Sequence, residues 1–504
     1  MTDEAPDPKP LFSGRLLARN ALWNLLGQGA PLLAAVFAIP VLIDRLGTDR
    51  FGILTLAWMV IGYFSLFDLG LGRALTKLVA DKIGAGKERE IPALAWTALG
   101  VMLLLSLLGV LVIWVLTPWL VHRALKIPSE LQAETIQSFY WLAVSIPFVI
   151  STTALRGILE AFQRFGLINA VRIPMGLFTF VGPLLVLPFS ERLTTVVAVL
   201  VVGRAVAWVI HALLCLRVVP GLRRQVAWSR TEIRPLLAFG GWMTVTNVVG
   251  PLMVYLDRFL IGAALSVAAV AYYATPYEII TKLWIIPGAL MGVLFPAFAS
   301  SLVLDRQKTA LLFTRGMNWI ALALFPLALL LIIFAHEGLR LWLGPEFAEN
   351  SFVAMKWLAI GVFLNGLAQV PFALVQAAGR PDLTAKLHLV ELPVYLLFLW
   401  WSIDAFGIVG AAMAWTARVF VDSGALLYLT GKSLPQAWGE IRTLAKRNLL
   451  LLLALGGGLL VQGIALKVFY VAFCLICFSF SARHIVTLET RSFLEKDSYN
   501  KTEN

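Results

Sequence analysis

Runs of about 20 or more mostly apolar residues recur along this chain from Ala18 to Ile485, separated by short polar gaps. Roughly 20 helical residues is the length that crosses the hydrocarbon core of a bilayer. No other property constrains the fold as tightly. A backbone in lipid must satisfy its own hydrogen bonds, and runs of this length do so as helices. The 504 residues are 60% apolar and 14% charged, against about half and a quarter in soluble domains, which excludes an ordinary globular protein. The runs lie near 18–43, 51–80, 92–118, 137–160, 166–188, 193–217, 235–262, 268–298, 310–334, 352–378, 384–404, 407–431, 447–466 and 467–485. An all-α polytopic membrane protein of about fourteen transmembrane helices is therefore expected. Two joints are tight, one near Asp404 and Gly407 and one at Leu466 and Lys467. The gaps reach only about 15 to 18 residues, too few for a second domain.

Orientation follows from the distribution of Lys and Arg. Counting alternate sides of the expected helices, one side holds about 27 basic residues and the other about 7, with about 7 inside helices. That bias places both termini in the cytoplasm and makes the net charge of +12 a feature of cytoplasmic loops, with no need of nucleic acid as partner. The opening MTDEAPDPKP is acidic and Pro-rich, unlike a signal peptide. Cys215, Cys474 and Cys477 lie inside apolar stretches. They read as small packing residues, so no metal site and no cofactor is expected.

An internal repeat is suggested by Trp23 with Ala30-Pro31-Leu32 in the first helix and Trp242 with Gly250-Pro251-Leu252 in the seventh. Two parallel six-helix units followed by two extra helices fit that match. The expected organisation is a cytoplasmic tail over 1–17, a six-helix lobe over 18–217 and a basic linker over 218–234. A second six-helix lobe follows over 235–431, then a linker with two extra helices over 432–485 and a cytoplasmic tail over 486–504.

Ionisable residues within membrane helices cost roughly 2.5 to 3.5 kcal/mol each on insertion scales, which makes them functional candidates. Arg156 and Glu160, Glu278 and Lys282, and Arg418 and Asp422 are each four apart, so each pair can neutralise itself on one helix face. Arg172, Arg204 and Arg258 have no opposite charge three or four residues away. Asp257 adjoins Arg258 but points about 100° away. A guanidinium without a helix partner calls for a carboxylate on another helix, a watery cavity or an anionic ligand. Its planar fork matches phosphate oxygens two at a time. Arg156, Arg172, Arg204 and Arg258 are the candidate anion-binding set, with cross-helix ion pairs as the plainer alternative. Asp68, Asp257, Glu391 and Asp422 are candidates for ion coupling through a proton or sodium, or equally counter-ions to the arginines. His388, three residues before Glu391, can share that site. Prolines such as Pro31, Pro147, Pro174, Pro251 and Pro393 supply bending points.

The stretch from Trp23 to Glu88 resembles the opening of the polysaccharide transport family, the Wzx-type flippases, whose superfamily also holds multidrug extruders and peptidoglycan-precursor flippases. RLGTDRFGI (Arg45 to Ile53), FDLGLGRALTKLVA (Phe67 to Ala80) and LWLGPEF (Leu341 to Phe347) carry the resemblance. It implies two six-helix lobes around a cavity and two further helices. It also implies alternating access that carries an undecaprenyl-pyrophosphate-linked oligosaccharide from the cytoplasmic to the periplasmic leaflet of a bacterial inner membrane, for O-antigen or exopolysaccharide synthesis. The implied partners are that anionic lipid-linked glycan, membrane lipids and a polysaccharide polymerase machinery. The family supplies no invariant catalytic motif to carry over, so the arginines rest on the charge argument alone.

Two other readings compete. A cation-coupled multidrug or metabolite antiporter of the same superfamily would favour an acidic, aromatic cavity, whereas the unpaired charges here are arginines. A membrane enzyme such as a polymerase or ligase would need a catalytic cluster, and no Asp-x-Asp or comparable group occurs. The chain is therefore expected to be a transporter and not an enzyme.

Overall fold

A computed structural model describes residues 14–64 and 70–480. Asp68 and the terminal segments 1–13 and 481–504 lie outside the described residues. The described residues form helices joined by short turns, with no strand among them. In order, the helices are α1 (Gly14–Phe64), α2 (Leu71–Gly84), α3 (Ile91–Trp119), α4 (Ser129–Ala161), α5 (Phe165–Val186), α6 (Leu193–Val218), α7 (Gly221–Arg224) and α8 (Arg230–Ala264). They continue with α9 (Val267–Ile280), α10 (Ile285–Leu304), α11 (Arg306–Ile333), α12 (Ala335–Leu343), α13 (Pro345–Ala377), α14 (Pro381–Ser433), α15 (Trp438–Gly457) and α16 (Ile464–Phe480). Nine helices among the described residues are long and apolar enough to cross a membrane.

The longest of these, α14, has 53 residues, or about 80 Å if straight, more than twice the bilayer core. It does not run straight. Gly407 adopts φ 61, ψ −140, and Gly47 inside α1 adopts φ 78, ψ 160, backbone regions essentially closed to residues with a Cβ. Each glycine folds its helix into two arms. The joint expected near Gly407 is therefore present. The final joint differs from expectation: α15 ends in Gly456-Gly457-Gly458 and α16 begins at Ile464 after Gly463 at φ 76, so the turn precedes Leu466. Three consecutive glycines end the helix where apolar content alone gave no boundary.

The chain divides into two compact units, Met1–Pro251 and Leu252–Asn504. Helices in lipid gain little from apolar contact with each other, so close approach has to stabilise each unit. In the first unit, a Cβ on Gly157 of α4 would stand 2.8 Å from the Gly72 carbonyl of α2, and one on Gly176 of α5 2.7 Å from the Pro31 ring of α1. In the second, Gly361 of α13 leaves room for the Trp415 indole of α14. Here α13 is the core helix, with 83% of its apolar window buried against 11% for the α3 span in the first unit.

The three sequence motifs that carried the family resemblance all prove to be joints. In RLGTDRFGI, Gly47 makes the turn and Arg50 donates to Glu134 at 3.1 Å, while Glu134 also accepts from the Leu193 backbone N–H. In FDLGLGRALTKLVA, Gly70 at φ 71 starts α2 and Gly72 abuts Gly157. In LWLGPEF, Gly344 at φ 90 precedes Pro345 at the first turn of α13, and Tyr272 donates to Glu346 at 2.9 Å.

The segment between α6 and α8, expected as a free basic linker, is pinned to α3. The Trp96 indole donates to the Leu222 carbonyl, the Ser229 N–H donates to Thr97, and Trp228 fills the space beside Gly100. At its end, Lys82 of α2 donates to both Glu90 and Glu232. Burial alone would lower the Lys82 ammonium, but the two carboxylates hold it above its ordinary value.

The segment 335–351, expected as a loop, is instead helical as α12 and the start of α13. Lys467 at the start of α16 donates to both oxygens of Glu337 of α12, at 2.7 and 2.9 Å. Burial would raise the Glu337 carboxyl, but the ammonium outweighs it and holds the carboxyl below the usual carboxylate range. The folded state therefore binds this proton less readily than the unfolded chain. The stabilisation is present above the ordinary Glu value and disappears as pH falls through the lowered one. The thermal midpoint of the detergent-solubilised protein is expected to fall between about pH 5 and pH 3. Glu337→Gln should flatten that part of the profile, and an unchanged profile in the variant would remove Glu337 from the account.

Candidate functional site

The candidate arginines of the first unit lie on three successive helices. Arg156 of α4 pairs with Glu160 at 3.2 Å, the intrahelical pair expected from spacing, and keeps half its side chain exposed. Arg172 of α5 is exposed and Arg204 of α6 is half-buried. Neither has an ion-pair or hydrogen-bond partner among the described residues. An apolar groove of about 600 Å³ runs between α5 and α6, lined by Pro174, Phe178, Val202 and Val206, and neither guanidinium lines it. Two of the four expected cations thus stand without a counter-charge among the described residues.

The second unit treats its charges differently. Arg258 of α8 is 2% exposed, donates to Glu278 of α9 at 3.3 Å, and lies 4.5 Å from the Tyr277 ring centroid. Asp257, fully buried, accepts from the Tyr273 hydroxyl at 2.6 Å and from the Arg258 backbone N–H at 2.7 Å. Lys282 pairs with Glu278 at 3.4 Å as spacing predicted. Arg258, assigned from sequence to an anion, is held inside the unit by a carboxylate and aromatic rings, because the turn after Ala264 lays α9 back against α8.

A second cluster spans the two arms of α14. Its ring of side chains is His388 and Glu391 on the first arm, with Arg418 and Asp422 on the second. The expected pair between Arg418 and Asp422 does not form among the described residues. Arg418 lies 3.9 Å from Glu391 and His388 lies 3.6 Å from Asp422. Both pairs are centred near residue 405, two positions before Gly407. In an antiparallel hairpin, residues equidistant from the turn face each other, and that geometry overrides pairing along one face. The Glu391 and Asp422 side chains are each 8% exposed, whereas His388 is 23% exposed. Both Glu391 oxygens and Asp422 Oδ1 make no hydrogen bond among the described residues. Donor atoms of His388, Glu391 and Asp422 fall within 4.8 Å of one another.

Electrostatics ties these groups together, since Arg418 and Arg258 both act on Asp257. Asp257, Glu278, Glu391 and Asp422 bring four negative charges, and Arg258, Lys282 and Arg418 bring three positive ones. The network is one positive charge short of neutral when His388 is uncharged. Sequence reasoning named Asp257, Glu391, Asp422 and His388, but missed the tyrosines around them. Tyr273 and Tyr277 lie within an apolar run and carried no signal until α9 folded back.

Comparison with known proteins agrees with this architecture. The family model described as "Polysaccharide biosynthesis protein" matches residues 17–302. A Shigella flexneri protein named "Putative O-antigen transporter" is 31% identical over 422 residues, covering 82% of this chain and 97% of that one. The solved lipid II flippase MurJ, in an inward closed conformation, superposes with a TM-score of 0.68 at 13% identity over 92% of this chain and 99% of its own. An inward-facing multidrug-resistance transporter of the MATE family also gives 0.68, at 14% identity over 84% of this chain and 99% of its own. At those identities the two structures speak for the fold alone.

Proposed function

We propose, from the premise that this chain belongs to the polysaccharide biosynthesis protein family, that it is a flippase for a lipid-linked oligosaccharide. Its substrate is an undecaprenyl-pyrophosphate-linked repeat unit, moved by alternating access from the cytoplasmic to the periplasmic leaflet of a bacterial inner membrane. Both termini lie in the cytoplasm, and the flipped units supply an O-antigen or exopolysaccharide polymerase. The observation that carries the reading is the pair of membrane guanidiniums, Arg172 and Arg204, left without counter-charge among the described residues. A pyrophosphate offers the oxygens such a fork binds. Arg156 joins them when Glu160 turns aside. The relative's name as an O-antigen transporter supports the glycan class. Asp257, Glu391 and Asp422 supply the coupling ion's site, and Asp68 remains a candidate on sequence grounds.

Deleting the gene in its host tests this directly. The expected result is loss of surface polysaccharide, accumulation of lipid-linked oligosaccharide in the inner leaflet and unchanged drug tolerance, all restored by a plasmid copy. Normal surface polysaccharide with increased drug sensitivity would instead support the multidrug antiporter, which the MATE-like fold accommodates.

A further inference from the structure

We propose that His388 is the proton carrier of the second unit, holding one proton between the carboxylates of Asp422 and Glu391 and thereby setting the charge of the α14 hairpin. This deepens the coupling reading above and rests on it for its role in transport. The proton site itself rests on geometry alone.

Three observations carry it. His388 Nε2 stands 3.6 Å from Asp422 Oδ1, within ion-pair range of an imidazolium and just beyond hydrogen-bond length. Asp422 Oδ1 and both Glu391 oxygens are buried with no hydrogen bond among the described residues, so acceptors for that donor are already in place. The surrounding charges sum to one negative, and a single added proton neutralises them. Charge also decides against a divalent ion. Arg418, 3.9 Å from Glu391, would repel an added cation, and two further charges would leave the cluster positive.

From α13 the Phe372 ring stacks parallel to His388, at 6.2 Å between centroids. From α8 and α9 come Asp257, Arg258, Tyr273, Tyr277 and Glu278, already paired among themselves. On α15, Arg447 donates to Asn318 of α11. On α14 itself, Tyr395 lies under Arg418, and Lys386 pairs with Asp382. His388 is therefore the sole ionisable member of the cluster both partly exposed and free of a fixed cation.

Access follows from exposure. His388 is the open member of the trio, 23% exposed against 8% for each carboxylate. It lies seven residues from the start of α14 at Pro381, about 10 Å along the helix. A proton reaches the imidazole from water on that side and is then shared inward. When it leaves, Asp422 and Glu391 stand charged on opposite arms, and among the described residues Arg418 is in ion-pair range of Glu391 but not of Asp422. The two arms then repel near one end while Gly407 holds the other, so protonation and the separation of the arms are linked.

The test uses the full chain in nanodiscs with isotope-labelled histidine, whose NMR signals number five at most. The His388 resonance is identified by its loss in His388→Gln. At one fixed pH, Asp422→Asn should reduce the imidazolium fraction at this position several-fold, because the ion-pair partner at 3.6 Å is then neutral. Exchanging potassium for sodium at constant ionic strength should leave the fraction unchanged. Displacement of the proton by sodium, or no response to Asp422→Asn, overturns the proposal. Surface glycan in the His388→Gln strain is scored separately. Normal glycan there alongside the expected titration would leave the proton site standing and sink its role in coupling.

Discussion

Arg204→Gln is expected to abolish surface polysaccharide while leaving the amount of protein in the membrane unchanged and its thermal midpoint equal to or above that of the parent. The two halves of this result separate a binding residue from a structural one. A charged side chain in a membrane helix costs roughly 2.5 to 3.5 kcal/mol on insertion scales. Arg204 is half-buried in α6 with no counter-charge among the described residues. Removing an uncompensated charge relieves that cost, so a purely structural account predicts a variant that is more stable and fully active. A cation retained for an anionic ligand predicts a variant that is stable and inactive, the usual exchange of stability for function at a site. Lys at the same position keeps the charge but loses the fork, and intermediate activity is expected from Arg204→Lys. Assays of surface glycan, membrane protein level and thermal unfolding on the same strains decide it. A stable Arg204→Gln protein with normal glycan would remove Arg204 from the site.

Much of the fold was legible because one physical rule dominates it. Twenty-residue apolar runs can only be helices in lipid, and glycine at Gly407 marked a joint that the backbone confirms at φ 61. What composition could not show was where helices continue through polar sequence. The opening of α13 and the start of α15, with Glu440, Arg442, Lys446 and Arg447, are helical despite their charge. The site was legible by residue and illegible by partner. Spacing along one helix found Arg156 with Glu160 and Glu278 with Lys282. It failed for Arg418 and Asp422, whose partners sit on the opposite arm. The missing step was available in part, because a turn centred near residue 405 puts His388 and Asp422 at equal distances along its two arms, and Gly407 lies two positions from that centre.

Arg258→Met is expected to be the most destabilising single change among the charged positions of the second unit. The side chain is 2% exposed, so its partners are held in a low-dielectric interior where removing one member of a pair costs about 3 to 5 kcal/mol. Most of that loss should come from Asp257. It is fully buried, and its remaining support is the Tyr273 hydroxyl, the Arg258 backbone N–H and the field of Arg418, of which only the first two touch it. Glu278 contributes little to the loss, because it is 47% exposed and retains Lys282 at 3.4 Å. Glu278→Gln should accordingly be mild. Adding Asp257→Asn to Arg258→Met should recover part of the lost stability, since the buried negative charge is then gone while the amide still accepts from Tyr273. Thermal unfolding of the four proteins in one detergent measures this, with the double variant expected above the Arg258→Met single variant. If Arg258→Met matched the parent in stability, the ion pair would be dispensable and Arg258 would return to the set of cations available to a ligand.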